Sequence, residues 1–317
     1  MAGLAWPEGA EEGAEERAEA RGDVLAPLRS RCDCRVWEGP GPPPARVLRA
    51  ELQDCEGLLC LLTDRVDAAL IDACPRLRVI STCSVGVDHI DVEAAARRGI
   101  RVTNTPGVLV ETTADLAFAL ILAAARRIPE ADRFVRAGQW TPERRWEPDM
   151  LLGRDLFGAT LGIVGLGEIG CALARRARGF GMRILAWNRT PRVLEGVEPV
   201  ALTELLERSD FVSLHVAYVP QTRGLIDAAA ISRMKRGAVL VNTSRGGIVD
   251  EAALARALAD GTLAAAALDV FEEEPLAPGS PLLRAPNLVL TPHIGSASVR
   301  TRRRMAELAV ENLLAGL

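Results

Sequence analysis

The stretch TLGIVGLGEIG, residues 160–170, decides how the chain is read. An apolar run ends at Gly165-x-Gly167-x-x-Gly170. An apolar-periodic segment follows (Ile169, Leu173, Ala177, Phe180) and is closed by Gly181. This is a strand turning into a helix through three glycines, and each glycine has a task. The first permits the tight turn, the second lets backbone approach a pyrophosphate, and the third lets helix and strand pack closely. The pyrophosphate then rests on the N–H groups and positive end of the helix. A second apolar run, RILAW (183–187), makes the stretch the opening βαβ half of a dinucleotide-binding domain.

That second strand runs into AWNRTPR, residues 186–192. A site for NAD places an acid about 20 residues beyond the glycines, where it holds the adenine ribose hydroxyls. Asn188 stands there instead. A carboxylate would repel a ribose 2′-phosphate, whereas Asn188 does not, and Arg189 and Arg192 are able to pair with one. The site therefore reads as NADP(H)-preferring, with NAD(H) as the alternative. It is built from Gly165, Leu166, Gly167, Glu168, Ile169, Gly170, Asn188, Arg189 and Thr190. The blander reading makes Arg189 a solvated loop residue, in a chain where Lys235 is the only lysine among 38 basic residues.

Alternation of short apolar runs with helical segments extends both ways from this turn and predicts parallel sheets. Downstream strand candidates are 211–215, 238–242, 265–270 and 287–290. Upstream, strands are expected at 57–62, 77–81 and 100–104, with helices near 67–74 and 90–99. The segment 111–127 predicts a long helix, apolar nearly all round and hence buried, with Thr112 or Thr113 as N-cap. A loose Trp- and Arg-rich region is expected over 137–155, and a final helix over 298–315. The helices 111–127 and 298–315 bracket the second set of strands, so the last helix is expected to return to the first domain. Residues 1–23 are acidic and low in complexity, and no structure is forced on them.

The bulk numbers suit this plan. The chain has 317 residues, 49% of them hydrophobic, and a formal charge of 38 − 42 = −4. That length suits two domains, and no basic block argues for nucleic acid. The seven cysteines show no metal-type spacing. They read as reduced thiols of a cytoplasmic protein, with Cys32-Asp-Cys34 as an outside metal or redox candidate. The longest apolar run, Leu116–Ala125, is far short of the ~20 residues a membrane span needs. No secretory signal is visible at the N-terminus.

Three further stretches sit at strand ends, where open α/β sheets place their ligands. They are VLVNTSRGGIVDE (239–251), ALDVFEEEPL (267–276) and LTPHIGSAS (290–298). They offer Arg245, Glu274 and His293. Alone, each has a bland reading as a surface charge or a structural imidazole. Together they match what reduction of a 2-keto acid requires. A cation holds the carboxylate or keto oxygen, a histidine donates a proton near neutrality, and an acid keeps that imidazole oriented and charged.

With STCSVGVDHID (81–91) and RVTNTPG (101–107), these motifs resemble the D-isomer-specific 2-hydroxyacid dehydrogenase family over roughly residues 50–317. Within it, they resemble the glyoxylate/hydroxypyruvate reductase branch, whose relatives include 2-ketogluconate reductases. The resemblance implies an α/β fold of two flavodoxin- or Rossmann-like domains with parallel sheets and an active site in the interdomain cleft. It places a cofactor domain at 108–287 and a discontinuous substrate domain at 1–107 plus 288–317, with 1–30 atypical because no opening strand is visible. It implies Arg245, Glu274 and His293 as catalytic residues. It assigns Ser84, Val85 and Gly86, with Arg245, to the substrate, and Thr243, Asp269 and Gly295 to the cofactor. It implies no metal, and a homodimer joined through the cofactor domains; the stretch with Trp140 and Trp146 is a candidate for that contact or, equally, for packing within one chain.

The implied reaction is reduction of glyoxylate, hydroxypyruvate or 2-ketogluconate to a D-2-hydroxy acid with NADPH. His293 would give the proton and Arg245 would polarise the oxygen. Rival readings are a nucleotide-sensing binding protein on the same fold and a catalytically weak or inactive paralogue. Among enzymes, the runner-up is 3-phosphoglycerate oxidation, which the NADP-type turn argues against. A formate dehydrogenase is expected to carry glutamine where Glu274 stands.

Overall fold

The computed structural model describes residues 23–317, which fall into two units, one of 23–109 with 296–317 and one of 110–295. Most of the low-complexity segment 1–23 lies outside the described residues.

In the first unit, β1 (Gly57–Cys60), β2 (Val79–Thr82) and β3 (Arg101–Thr103) form a three-stranded parallel sheet in that order. Asp67 and Asp91 start the helices Ala68–Asp72 and Val92–Arg97 by accepting the N–H groups of Leu70 and Ala94. The helix Val299–Gly316 belongs to this unit. Ser81 Oγ donates to the Ala309 carbonyl at 2.7 Å, and Asn312 Nδ2 donates to the Asn104 carbonyl at 3.0 Å. The helix also buries Met305, Ala306 and Ala309 against Cys83. The Pro-rich stretch 39–44 is a loop, and among the described residues before it the one helix is the short Ala26–Arg29.

In the second unit, seven parallel strands run in the order β10-β9-β8-β7-β4-β5-β6. They are β4 (Thr160–Val164), β5 (Arg183–Trp187), β6 (Glu198–Pro199), β7 (Phe211–Leu214), β8 (Ala238–Asn242), β9 (Leu263–Leu268) and β10 (Leu288–Leu290). Strands β4, β7 and β8 are buried along their whole length. Helices cover both faces of such a sheet, so these strands read as continuous apolar runs. The chain reverses direction of growth between β4 and β7, which opens a crevice at the glycine turn.

The structure alters several expectations. The expected domain boundary at 287/288 falls inside the second unit, because Leu288–Leu290 pairs with Ala266–Leu268 in the large sheet. The divisions lie at 109/110 and 295/296 instead. The long helix spans Val110–Ala125, so Thr112 and Thr113 sit within its first turn rather than before it. It buries Ala117, Phe118, Leu120 and Ile121 among residues of the second unit such as Leu161 and Leu173. Arg127, in the left-handed region at φ 54°, separates it from a further helix, Ile128–Arg136, that was not among the expected elements. That helix is amphipathic, with Ile128, Ala131, Phe134 and Val135 on one face, yet it is only nine residues long, has Pro129 in its first turn and buries none of its residues within the chain. Strand β6 is too short to carry a pattern.

Candidate active site

Strand β4 delivers the chain into the glycine turn, and each glycine meets a different constraint. Gly165 has φ 105°, and a Cβ there would lie 2.5 Å from the His215 carbonyl oxygen. A Cβ on Gly170 would overlap the Gly165 carbonyl oxygen. Gly167 is different, because a Cβ there meets nothing within 4 Å. Gly167 is also the N-cap of the helix Glu168–Gly179, and no side chain caps that end. The first-turn N–H groups of a helix lack intrahelical acceptors and carry partial positive charge. Open backbone before an uncapped helix start fits a dinucleotide pyrophosphate. The hydroxyl of Thr243, at the end of β8, is buried without a hydrogen-bond partner, as befits a group that a ligand satisfies.

Asn188 has a task that spacing does not show. Its Oδ1 accepts the Leu166 N–H at 3.0 Å and its Nδ2 donates to the Thr190 carbonyl at 2.6 Å. Arg192 donates to the Leu166 carbonyl at 3.0 Å. Both therefore brace the glycine turn, and Thr190 takes part through its backbone. Arg189 and Arg192 are exposed. Leu166, Ala186, Asn188, Arg192, Val200 and Ala201 are among the residues that line a cleft of about 340 Å³ beside the turn.

His215, at the end of β7, had drawn no attention in the sequence. Its Nε2 lies 2.8 Å from Ser213 Oγ. The residue is half-buried, and desolvation by its surroundings pushes its pKa down to about 4. A neutral imidazole therefore stands beside the turn.

Arg245 follows β8. Buried Asn242 donates to the Arg245 carbonyl at 2.8 Å and accepts from the Ser244 N–H at 3.0 Å and hydroxyl at 2.8 Å. These bonds turn the chain immediately after the strand. The Arg245 Nη1 donates to the Ser244 carbonyl at 2.8 Å. A Cβ on Gly246 would overlap the Phe271 carbonyl group. Glycine therefore lets the loop after β8 press against the loop after β9, which carries Glu274.

Glu274 Oε1 accepts the Phe271 N–H at 3.0 Å, and its Oε2 lies 2.7 Å from His293 Nδ1. Burial pushes this carboxyl up, but the bond to His293 and its charge, the Phe271 N–H and the Arg245 charge together outweigh it. The net effect holds Glu274 below its usual range. An ionised carboxylate only accepts, so Nδ1 carries a proton and Nε2 remains for chemistry.

His293 sits at φ 56°, a strained backbone for a residue with a side chain. Asp269 holds it there. The Asp269 carbonyl accepts the His293 N–H at 2.9 Å. Oδ1 accepts Thr291 Oγ1 at 2.6 Å and the Ile294 N–H at 2.8 Å, and Oδ2 accepts the Gly295 N–H at 2.8 Å. Burial raises the Asp269 pKa despite these bonds. Asp269 and Gly295, both expected at the cofactor, thus clamp the histidine loop through one another. Asn242, Thr291 and Phe271 were missed because single polar or apolar residues at strand ends carry no pattern.

Ser84, Val85 and Gly86 lie in the first unit, just beyond β2. Their three carbonyls accept from the Thr105 N–H at 2.9 Å, from Asn104 Nδ2 at 2.8 Å and from Ser84 Oγ at 2.7 Å, respectively. A trans peptide points its C=O and N–H in opposite directions. Each engaged carbonyl therefore turns the next N–H away from its anchor. Among the described residues no group of three or more His, Cys, Asp or Glu is placed to hold a metal ion, and no helix is long and apolar enough to cross a membrane.

Residues 118–295 match the family model described as "D-isomer specific 2-hydroxyacid dehydrogenase, NAD binding domain". The chain is 53% identical over 295 residues to a glyoxylate reductase of Korarchaeum cryptofilum, covering 92% of this chain and 88% of that one. Among solved structures, the TT0316 protein from Thermus thermophilus is similar at 50% identity and a TM-score of 0.87, over 93% of both chains. An NADPH-dependent glyoxylate/hydroxypyruvate reductase from Sinorhizobium meliloti, in complex with NADP and malonate, is similar at 39% identity and a TM-score of 0.83. That match covers 92% of this chain and 89% of that one.

Proposed function

The chain belongs to the D-isomer specific 2-hydroxyacid dehydrogenase family and is an NAD(P)-dependent dehydrogenase, and from that premise we propose an NADPH-preferring reductase of small 2-keto acids. Glyoxylate is the first substrate, with hydroxypyruvate and 2-ketogluconate as further candidates, and the product is the corresponding alcohol, of D configuration where the carbon is chiral. The observation that carries the reading is the 2.7 Å contact between Glu274 Oε2 and His293 Nδ1, in a loop neighbourhood that the Arg245 charge reaches.

The residues divide the work as follows. Glu274 keeps the imidazole of His293 oriented through Nδ1, and Nε2 gives a proton to the keto oxygen. Arg245 polarises that oxygen and attracts the substrate carboxylate. In the first unit, the loop Ser84–Gly86 is read, through its N–H groups, as a carboxylate-binding loop. A bound nicotinamide supplies the hydride. The open approach at Gly167, the uncapped helix start, the unpartnered Thr243 hydroxyl and the cleft beside Asn188 would hold that cofactor. Asn188 leaves room for a 2′-phosphate without charge repulsion, and Arg189 and Arg192 lie in the same exposed loop.

His293→Ala tests the reading. It should keep NADPH affinity and lose most of kcat with glyoxylate, because only proton transfer is removed. A near-normal kcat would remove His293 from the reaction. Wild-type protein that binds cofactor yet turns over none of the three keto acids would favour a nucleotide-sensing or inactive protein.

The cofactor-domain unit also exposes Trp140 (57%), Trp146 (80%), Leu152 (64%) and Phe157 (84%). So much exposed aromatic surface suits a protein interface, and a second copy of this chain is the proposed occupant. Light scattering on Trp146→Ser should show dissociation to monomers.

A further inference from the structure

The loop Ser84–Gly86 is held by a line of side chains that begins at His89. His89 Nε2 lies 3.0 Å from Thr82 Oγ1, Thr82 Oγ1 lies 2.9 Å from Ser84 Oγ, and Ser84 Oγ lies 2.7 Å from the Gly86 carbonyl oxygen. The direction of every bond follows from the last one. A carbonyl oxygen only accepts, so the single Ser84 hydroxyl proton goes to Gly86. Ser84 Oγ then accepts, so the single Thr82 proton goes to Ser84. Thr82 Oγ1 in turn accepts, and the remaining donor is the Nε2–H of His89. The line is a one-way relay in which His89 supplies the first proton.

The relay ends on a residue with unusual conformational freedom. Glycine explores more backbone space than any other residue, and a loop glycine keeps one conformation only when its surroundings impose it. Asn104 Nδ2 holds the peptide before Gly86, through the Val85 carbonyl, and Ser84 Oγ holds the peptide after it. Gly86 is therefore pinned on both sides, and one of the pins depends on Thr82 and His89. Thr82 and Ser84 are buried, so water does not readily replace either.

We infer that His89 is a positioning residue for substrate binding: through Thr82 and Ser84 it fixes the Gly86 peptide, and so the N–H groups offered to the carboxylate of a 2-keto acid. This rests on the reading of Ser84–Gly86 as the carboxylate loop. His89 and Thr82 touch the substrate in neither role. Their effect is on KM, whereas proton transfer belongs to His293.

Steady-state kinetics with glyoxylate and NADPH test the relay. His89→Phe and Thr82→Val should each raise the glyoxylate KM about tenfold, with kcat within about twofold and the NADPH KM unchanged. The double variant should be no worse than either single one, because both break the same line. His89→Gln, whose amide can donate to Thr82, should restore most of the affinity. Gly86→Ala serves as the control on the loop itself. If Gly86→Ala raises KM while His89→Phe and Thr82→Val, folded by thermal denaturation, do not, the relay is overturned and the carboxylate loop stands. If Gly86→Ala leaves KM unchanged, the loop reading falls, and the inference with it.

The tautomer gives a readout that needs no turnover and covers a variant that fails to fold. The chain has three histidines, so long-range ¹⁵N–¹H spectra of the wild-type protein resolve each ring. His89 should carry its proton on Nε2, and a proton on Nδ1 alone would overturn the relay.

Discussion

His293 Nδ1 lies 2.7 Å from Glu274 Oε2, while the second oxygen of the same carboxylate accepts the Phe271 N–H at 3.0 Å. One acid therefore anchors its own loop and orients the imidazole. Glu274→Gln keeps the size and the acceptor for Phe271, but it turns an N–H toward Nδ1 and so favours the opposite tautomer. We expect kcat to fall about 100-fold with an unchanged NADPH KM. The pH dependence has a definite sign. Glu274 is held below its usual range, so the stability it adds is complete above the ordinary carboxylate pKa and is lost as pH falls through the lower folded value. The difference in unfolding free energy between wild type and variant, by urea denaturation, should be level down to about pH 5 and shrink below about pH 4.

Asp269 is satisfied on both oxygens by the loop that carries His293. Asp269→Asn replaces one acceptor with a donor that faces a backbone N–H. The cost should be about 1–3 kcal/mol in unfolding, and kcat should fall because the strained backbone of His293 is no longer held. A variant with normal stability and activity would show that other contacts keep His293 in place.

The glycine turn separates folding from binding. Gly170→Ala overlaps the Gly165 carbonyl, so it should lower the thermal midpoint sharply. Gly167→Ala meets no neighbour within 4 Å and has an ordinary backbone, so the thermal midpoint should hold while cofactor affinity falls at least about tenfold. Scanning calorimetry and fluorescence titration with NADPH check the pair.

Asn188→Asp keeps an acceptor for Leu166 and loses the donor to Thr190. The new charge opposes a 2′-phosphate and suits ribose hydroxyls. NADPH should bind at least about tenfold more weakly, with NADH changed by less than about threefold. Equal losses, read by titration with both cofactors, would place the 2′-position away from Asn188, Arg189 and Arg192.

His215 contributes a second pH effect. Its folded pKa of about 4 lies below the ordinary 6.5, so the unfolded chain takes up the proton first. Stability should therefore fall between pH 6.5 and 4, by at most about 3 kcal/mol from this residue. His215→Gln should flatten that slope in chemical denaturation.

The strands most legible in the sequence were those buried on both faces. Residues 161–164, 184–187 and 238–241 are continuous apolar runs, because a parallel sheet covered by helices leaves no polar side. The helix Ile128–Arg136 escaped notice because a nine-residue stripe with Pro129 in its first turn reads as a loop, and the two-residue β6 is too short to carry any pattern. The expected division at 287/288 was early for a related reason: Leu288–Leu290 is only half-buried, and only its pairing with β9 assigns it to the large sheet.

The sequence by itself made legible the glycine turn, most of the strands along the chain and the strand-end stretches that carry Arg245, Glu274 and His293, because side-chain chemistry and spacing are local properties. Only the tertiary structure decided that Asp269 clamps the loop 291–295, that Asn188 braces the turn before it can face a cofactor, and that His89 reaches Gly86 through two hydroxyls. In the first two cases the partners lie 22 to 26 residues apart in the chain. In the relay they lie close by, but the direction of each bond follows from the acceptor at its end. Hydrogen bonds between loops depend on where folded backbones bring single donors and acceptors, and no period along the chain encodes that.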